Sequence, residues 1–65
     1  MDLGIKTDPK PERYTIFVSG EIDISNAEQL RNAVDLAFEQ PTEKVVLDLA
    51  DVSYIDSTGI GVLVA

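Results

Sequence analysis

An amphipathic helix set between two strand-forming runs restricts this chain to strands and helix packed on one another. Ser25 with Glu28 three residues on reads as a capping box that opens the helix. Ala27, Leu30, Val34 and Ala37 then recur at helical spacing with Phe38 beside them, and Arg31, Asn32, Asp35 and Glu39 take the polar side. Pro41 ends the pattern, because the residue before a proline avoids helical angles. Ahead of the helix, Arg13–Ser19 is aromatic and β-branched and predicts a strand. Gly20 predicts a bend or bulge. Glu21-Ile22-Asp23-Ile24 then alternates acid with isoleucine, which predicts Ile22 and Ile24 on the core face. After the helix, Lys44–Leu49 predicts a central strand covered on both faces.

The remaining segments are weaker. Leu3–Thr7 alternates faintly, and Thr7–Glu12, with Pro9 and Pro11, predicts a turn or loop. Asp51-Val52-Ser53-Tyr54 predicts a connection. Ile55–Gly59 predicts the start of a further helix, with Ile60, Leu63 and Val64 at helical spacing. Gly59 and Gly61 weaken that helix by roughly 1 kcal/mol each, so a close backbone approach is expected there. Sixty-five residues make at most one small domain, which buries only about 60% of its unfolded surface. The chain stops at Ala65 inside the apolar run Val62-Leu63-Val64. This predicts that residues 1–65 are the N-terminal part of a larger domain; a complete mini-protein would have to bury that edge by oligomerising.

Composition removes whole classes of function. Twelve acidic against five basic residues give a net charge of −7, the wrong sign for a phosphate backbone or an anionic membrane surface. Without cysteine or histidine there is no zinc finger, iron–sulfur cluster, thiol nucleophile or Ser-His-Asp triad, and no disulfide framework. The first residues form no apolar leader, and no apolar run approaches the roughly 20 residues of a membrane span. A soluble, cytoplasmic protein is expected, with neither nucleic acid nor membrane as partner.

The densest chemical cluster is Asp48, Asp51, Asp56, Ser57 and Thr58. A hydroxyl pair at a helix start sits among unpaired N–H groups and tolerates an anion, so a phosphate on Ser57 is locally accommodated. It would also add about −1.5 to −2 charge to an acidic chain, changing binding far more than fold. Asp56 or Ser57 equally suits a plain helix cap, and the two roles are compatible. An aspartic-protease motif fails because Thr58 separates Ser57 from Gly59, and a Walker loop fails for want of its lysine. Asp48, Asp51 and Asp56 suit solvated strand ends better than a divalent-cation site. Glu21 and Asp23 are read either as a solvated strand face or as a binding rim where strand ends meet a helix start.

Three segments together resemble a known family: Gly20-Glu21-Ile22-Asp23-Ile24, Val45-Val46-Leu47-Asp48-Leu49, and Val52–Gly61 with its Asp56-Ser57-Thr58-Gly59 core. In order and spacing they look like a STAS domain, and more narrowly like the bacterial anti-sigma factor antagonists. Ile60 departs only in standing where leucine is frequent. The resemblance implies an α/β fold, a mixed sheet with helices packed on it. It implies no catalysis and no cofactor. The unphosphorylated antagonist would bind an anti-sigma factor serine kinase and so free a sigma factor. Phosphorylation would end that binding, and a serine phosphatase would reset it. Residue by residue, the resemblance assigns the phosphate to Ser57 and the partner surface to Glu21, Asp23, Asp56, Ser57, Thr58, Gly59 and Gly61. Stressosome modules of the same family use threonine, which keeps Thr58 open as an acceptor. A scaffold or ligand-binding module not switched through Ser57 is the alternative.

Overall fold

The computed structural model describes residues 3–57 and residue 61. Within these the chain runs through strand β1 (Gly4–Pro9), strand β2 (Tyr14–Ile22), helix α1 (Ala27–Phe38) and strand β3 (Val45–Ile55). The strands form one mixed sheet in the order β1-β2-β3, with β1 antiparallel and β3 parallel to β2. A parallel pair requires a crossover connection, and α1 provides it. The α/β mixed sheet expected from the sequence is the observed architecture.

The centre of that sheet is β2, not the Val45–Leu49 run. Ile16, Val18 and Ile22 of β2 are at most 2% exposed and meet Leu30 and Ala37 of α1. Leu3 and Tyr14 complete the buried cluster, and Ile5, Val34, Val45, Leu47, Leu49, Val52 and Ile55 pack around it. Each fully buried aliphatic side chain here contributes about 1.5–3 kcal/mol. Val45–Leu49 is only half-buried because α1 packs chiefly on β2, and β3 has a single strand neighbour among the described residues.

The predicted loop before β2 is shorter than expected. Thr7, Asp8 and Pro9 belong to β1, and the turn proper is Pro11-Glu12, closed by reciprocal backbone bonds between Lys10 and Arg13 at 3.0 and 3.2 Å. Pro9 is tolerated because, among the described residues, β1 lies at an edge of the sheet. Gly20 does mark a bulge: its φ is 97°, and the β2–β3 register shifts beside it.

The predicted Asp51–Tyr54 connection is instead continuous with β3. Two register shifts explain how. Phe17 pairs with Asp48 and Ser19 with Asp51; Gly20 pairs with Val52 and Glu21 with Tyr54. Each shift places one extra residue in β3. Polar side chains of β3 satisfy backbone groups there: the Ala50 N–H donates to Asp48 Oδ1 at 3.0 Å, and the Ser53 hydroxyl donates to the Gly20 carbonyl at 3.2 Å. The extra residues also keep the apolar side chains inward, so that Leu47, Leu49, Val52 and Ile55 all reach the core.

Two apolar residues placed inward by their spacing lie outside. Ile24 is 78% exposed, because β2 ends at Ile22 and the chain turns before the alternation reaches residue 24. Phe38 is exposed on the last turn of α1.

Candidate functional site

In a parallel pair both strands finish at the same edge. Glu21 pairs with Tyr54 and Ile22 with Ile55. The Asp56 N–H donates to the Ile22 carbonyl at 3.1 Å, carrying the ladder one step past β3. This edge therefore gathers Glu21 and Asp23 from the end of β2 with Asp56 and Ser57 from the end of β3. These are the two acidic motifs that the sequence presents separately. Glu21, Asp23 and Asp56 are half-buried; Ser57 is exposed and has helical backbone.

The turn between β2 and α1 is held by polar side chains, in a way the capping-box reading misses. Ser25 does not cap α1. Its hydroxyl donates to Asp23 Oδ1 at 2.5 Å and its N–H donates to the same oxygen at 2.9 Å. A carboxylate two residues away is a stronger acceptor than the alternatives open to a serine. Asn26 stands at the N-cap without a side-chain cap bond. The Asp23 carbonyl instead accepts the N–H groups of Asn26 and Ala27 at 3.2 and 2.8 Å. Asn26, buried at 8% exposure, ties the turn to the strand: Nδ2 donates to the Glu21 carbonyl at 2.8 Å, and Oδ1 accepts the Asp23 N–H at 2.9 Å. It is the positioning residue that the sequence reading overlooked. The available signal was an Asx residue between a strand and a helix.

The hydrogen bonds from the Ser25 hydroxyl and N–H hold the Asp23 carboxyl below the ordinary aspartate range. A depressed pKa stabilises the turn above the ordinary value, and that stabilisation is lost as the pH falls through the lower, folded value. Carboxyl-carbon NMR titration should therefore place Asp23 below an unperturbed aspartate. In Ser25→Ala the midpoint should move up towards the unperturbed value; an unmoved midpoint would remove Ser25 as the cause.

The acids of β3 do not converge. Asp48 pairs with Phe17 and Asp51 with Ser19, while Asp56 follows the strand end. At about 3.3 Å per residue, Asp48 and Asp56 are some 25 Å apart along the chain. Among the described residues no three acidic side chains form a group that could hold a metal ion. Among the described residues nothing lies within 4 Å of a methyl group added at Gly61. Thr58 and Gly59 lie outside the described residues, as do Ile60, Leu63 and Val64.

Charge is distributed unevenly along the sheet. Lys10, Arg13 and Lys44 stand where β2 and β3 begin, interleaved with Asp8, Glu12 and Glu43, and Lys10 Nζ pairs with Asp8 Oδ2 at 3.6 Å; the Tyr14 N–H donates to the Lys44 carbonyl at 2.8 Å. Glu21, Asp23 and Asp56 lie where those strands end. Nine residues of β2 separate the two ends by roughly 25–30 Å, beyond the Debye length of about 8 Å at physiological salt.

A model of the STAS domain family matches residues 5–65 of this sequence. The chain belongs to the STAS domain family. Among curated relatives, an anti-sigma-B factor antagonist of Staphylococcus epidermidis is 36% identical over 64 residues, covering 98% of this chain and 59% of the relative. One from Staphylococcus aureus is 33% identical over the same coverage. The chain thus spans well under two thirds of the length of these relatives. Among solved structures, an anti-sigma factor antagonist from Mycobacterium paratuberculosis superposes with a TM-score of 0.88 at 25% identity, over 97% of this chain and 54% of that one. The anti-sigma factor antagonist SpoIIAA in its unphosphorylated form shares the fold, with a TM-score of 0.70 at 24% identity over 94% of this chain and 57% of that one. Among the described residues no helix of this STAS chain is long and apolar enough to cross a membrane.

Proposed function

We propose that this STAS protein is an anti-sigma factor antagonist switched by phosphorylation of Ser57. Unphosphorylated, it binds an anti-sigma factor serine kinase and releases the sigma factor that the kinase holds. The kinase then transfers the γ-phosphoryl group of its own ATP to the Ser57 hydroxyl, the complex separates, and a serine phosphatase restores the hydroxyl. The protein needs no cofactor of its own. Glu21, Asp23, Asp56, Ser57, Thr58, Gly59 and Gly61 form or border the contact surface.

The observation that carries this reading is the position of Ser57. It is exposed, directly follows the β3 end, and stands beside an acidic turn clamped by Asn26 and Ser25. An exposed hydroxyl suits a kinase active site. A phosphate there adds about −1.5 to −2 charge beside Glu21, Asp23 and Asp56 while burying nothing. Binding changes and the fold does not. The names of the relatives point the same way.

Phosphopeptide mapping of the intact protein from its own cells, localised within Ser53–Thr58, tests the assignment. Phosphate on Ser57 is expected. Phosphate on Thr58 alone would move the protein towards the stressosome-like modules. None in resting or stressed cells would favour an unswitched scaffold.

A further inference from the structure

Ile24 is the anomaly of the acidic edge. It stands at the tip of the β2–α1 turn, 78% exposed, between Asp23 and Ser25, whose side chains are bonded to each other. The same hydrogen bonds that hold Asp23 hold the residue between, so this apolar side chain is presented on a fixed turn. Tyr54 is a second large side chain at this edge, 56% exposed and paired in register with Glu21. Leu36 and Phe38 are also exposed, but they belong to α1 rather than to the edge where β2 and β3 end.

Resting on the antagonist reading, we infer that Ile24 is the apolar anchor of the partner contact, and that it enters an apolar socket bordered by lysine or arginine on the anti-sigma kinase. Charge complementarity selects that partner chemistry. Glu21, Asp23 and Asp56 lie at the same sheet edge as the anchor, and Lys10, Arg13 and Lys44 stand at the far end of the sheet. A second copy of this chain would bring acid against acid at the same edge, which opposes self-association through it. An apolar residue exposed on a hydrogen-bonded turn at an acidic edge has the anatomy of an interface hot spot. Tyr54 supplies amphipathic contact area beside it.

The test is the affinity of the intact protein for the kinase, measured by calorimetry with Ser57 unphosphorylated. Ile24→Ser should weaken binding about ten- to a hundredfold, the loss expected when one large aliphatic side chain fails to desolvate. Ile24→Leu should stay within about threefold of wild type, a volume-conserving change. Phe38→Ser, at an exposed apolar site on α1, should leave the affinity unchanged. Thermal unfolding of the three variants should match wild type, since both side chains lie largely in solvent. Wild-type affinity in Ile24→Ser would overturn the inference while leaving the antagonist reading intact. A change confined to self-association would overturn it in favour of a second copy. If wild type itself binds no anti-sigma kinase, both fall, and that outcome is separate from the others.

Discussion

Ser57→Asp in the intact protein is expected to weaken binding to the anti-sigma kinase by at least about thirtyfold, with no change in fold. The magnitude decides what the result means. A charge on an open surface alters an interaction by about 0.2–1 kcal/mol, a few-fold in affinity. A charge forced into a closed contact beside like charges costs about 2–5 kcal/mol, which is roughly thirtyfold or more. Ser57 follows Asp56, whose N–H is bonded to the end of β2, so a new carboxylate there arrives next to Glu21 and Asp23. Ser57→Ala adds no charge and should bind as wild type does while resisting phosphorylation. Because Ser57 is exposed, both variants should unfold within about 0.5 kcal/mol of wild type. A loss below about fivefold in Ser57→Asp would place Ser57 outside the contact and sink the switch.

The largest effect on stability should come from Leu30→Ala. Leu30 is fully buried and is the largest side chain by which α1 grips β2, against Ile16, Val18 and Ile22. Truncating a buried leucine costs about 2–5 kcal/mol, from lost transfer energy and the cavity left behind. At about 0.05–0.15 kcal/mol per residue, 65 residues carry a total of roughly 3–10 kcal/mol. The single change therefore removes a large share of it. Urea unfolding followed by circular dichroism should show the loss in the midpoint, and Leu36→Ala, at an exposed position of the same helix, should stay within about 0.5 kcal/mol. The site would feel the change as well, since Asn26 clamps the acidic turn from the N-cap of this helix. A cost below about 1 kcal/mol would mean that α1 is not held to the sheet by this contact.

Helix α1 was readable almost residue for residue, because Ala27, Leu30, Val34 and Ala37 follow one helical face and that face is the one buried or half-buried. β2 was readable through Val18 for the same reason at period two: Ile16 and Val18 alternate inward. Its continuation through Gly20 was not. A bulge shifts the register there, and a local pattern stops at the shift. β3 was misread beyond Leu49. Leu49, Val52 and Ile55 recur every three residues, a spacing that breaks the two-residue alternation of a strand. Only the pairing with β2 shows two extra residues absorbed along the ladder, with Asp48 and Ser53 bonded to backbone groups there.

The candidate site divides in the same manner. Its chemistry is local and was readable: a serine after an aspartate, an acid pair before a helix, and a composition that leaves little room for metal or thiol chemistry. The motifs that carry the resemblance to the STAS family are short runs of the same kind. Its assembly is not local. The parallel alignment of β2 with β3 brings Glu21 and Asp23 beside Asp56 and Ser57, and no spacing along the chain encodes which strand ends meet. Ser25 shows the limit most clearly. By pattern it caps a helix; in the fold the neighbouring carboxylate captures its hydroxyl, and Asn26 joins the turn to the strand. Residue types and periodicity determined which groups this protein can use and which elements carry them. Pairing across the sheet decided where those groups meet, because hydrogen-bond partners and charge neighbours are set by distance in space rather than by order in the chain.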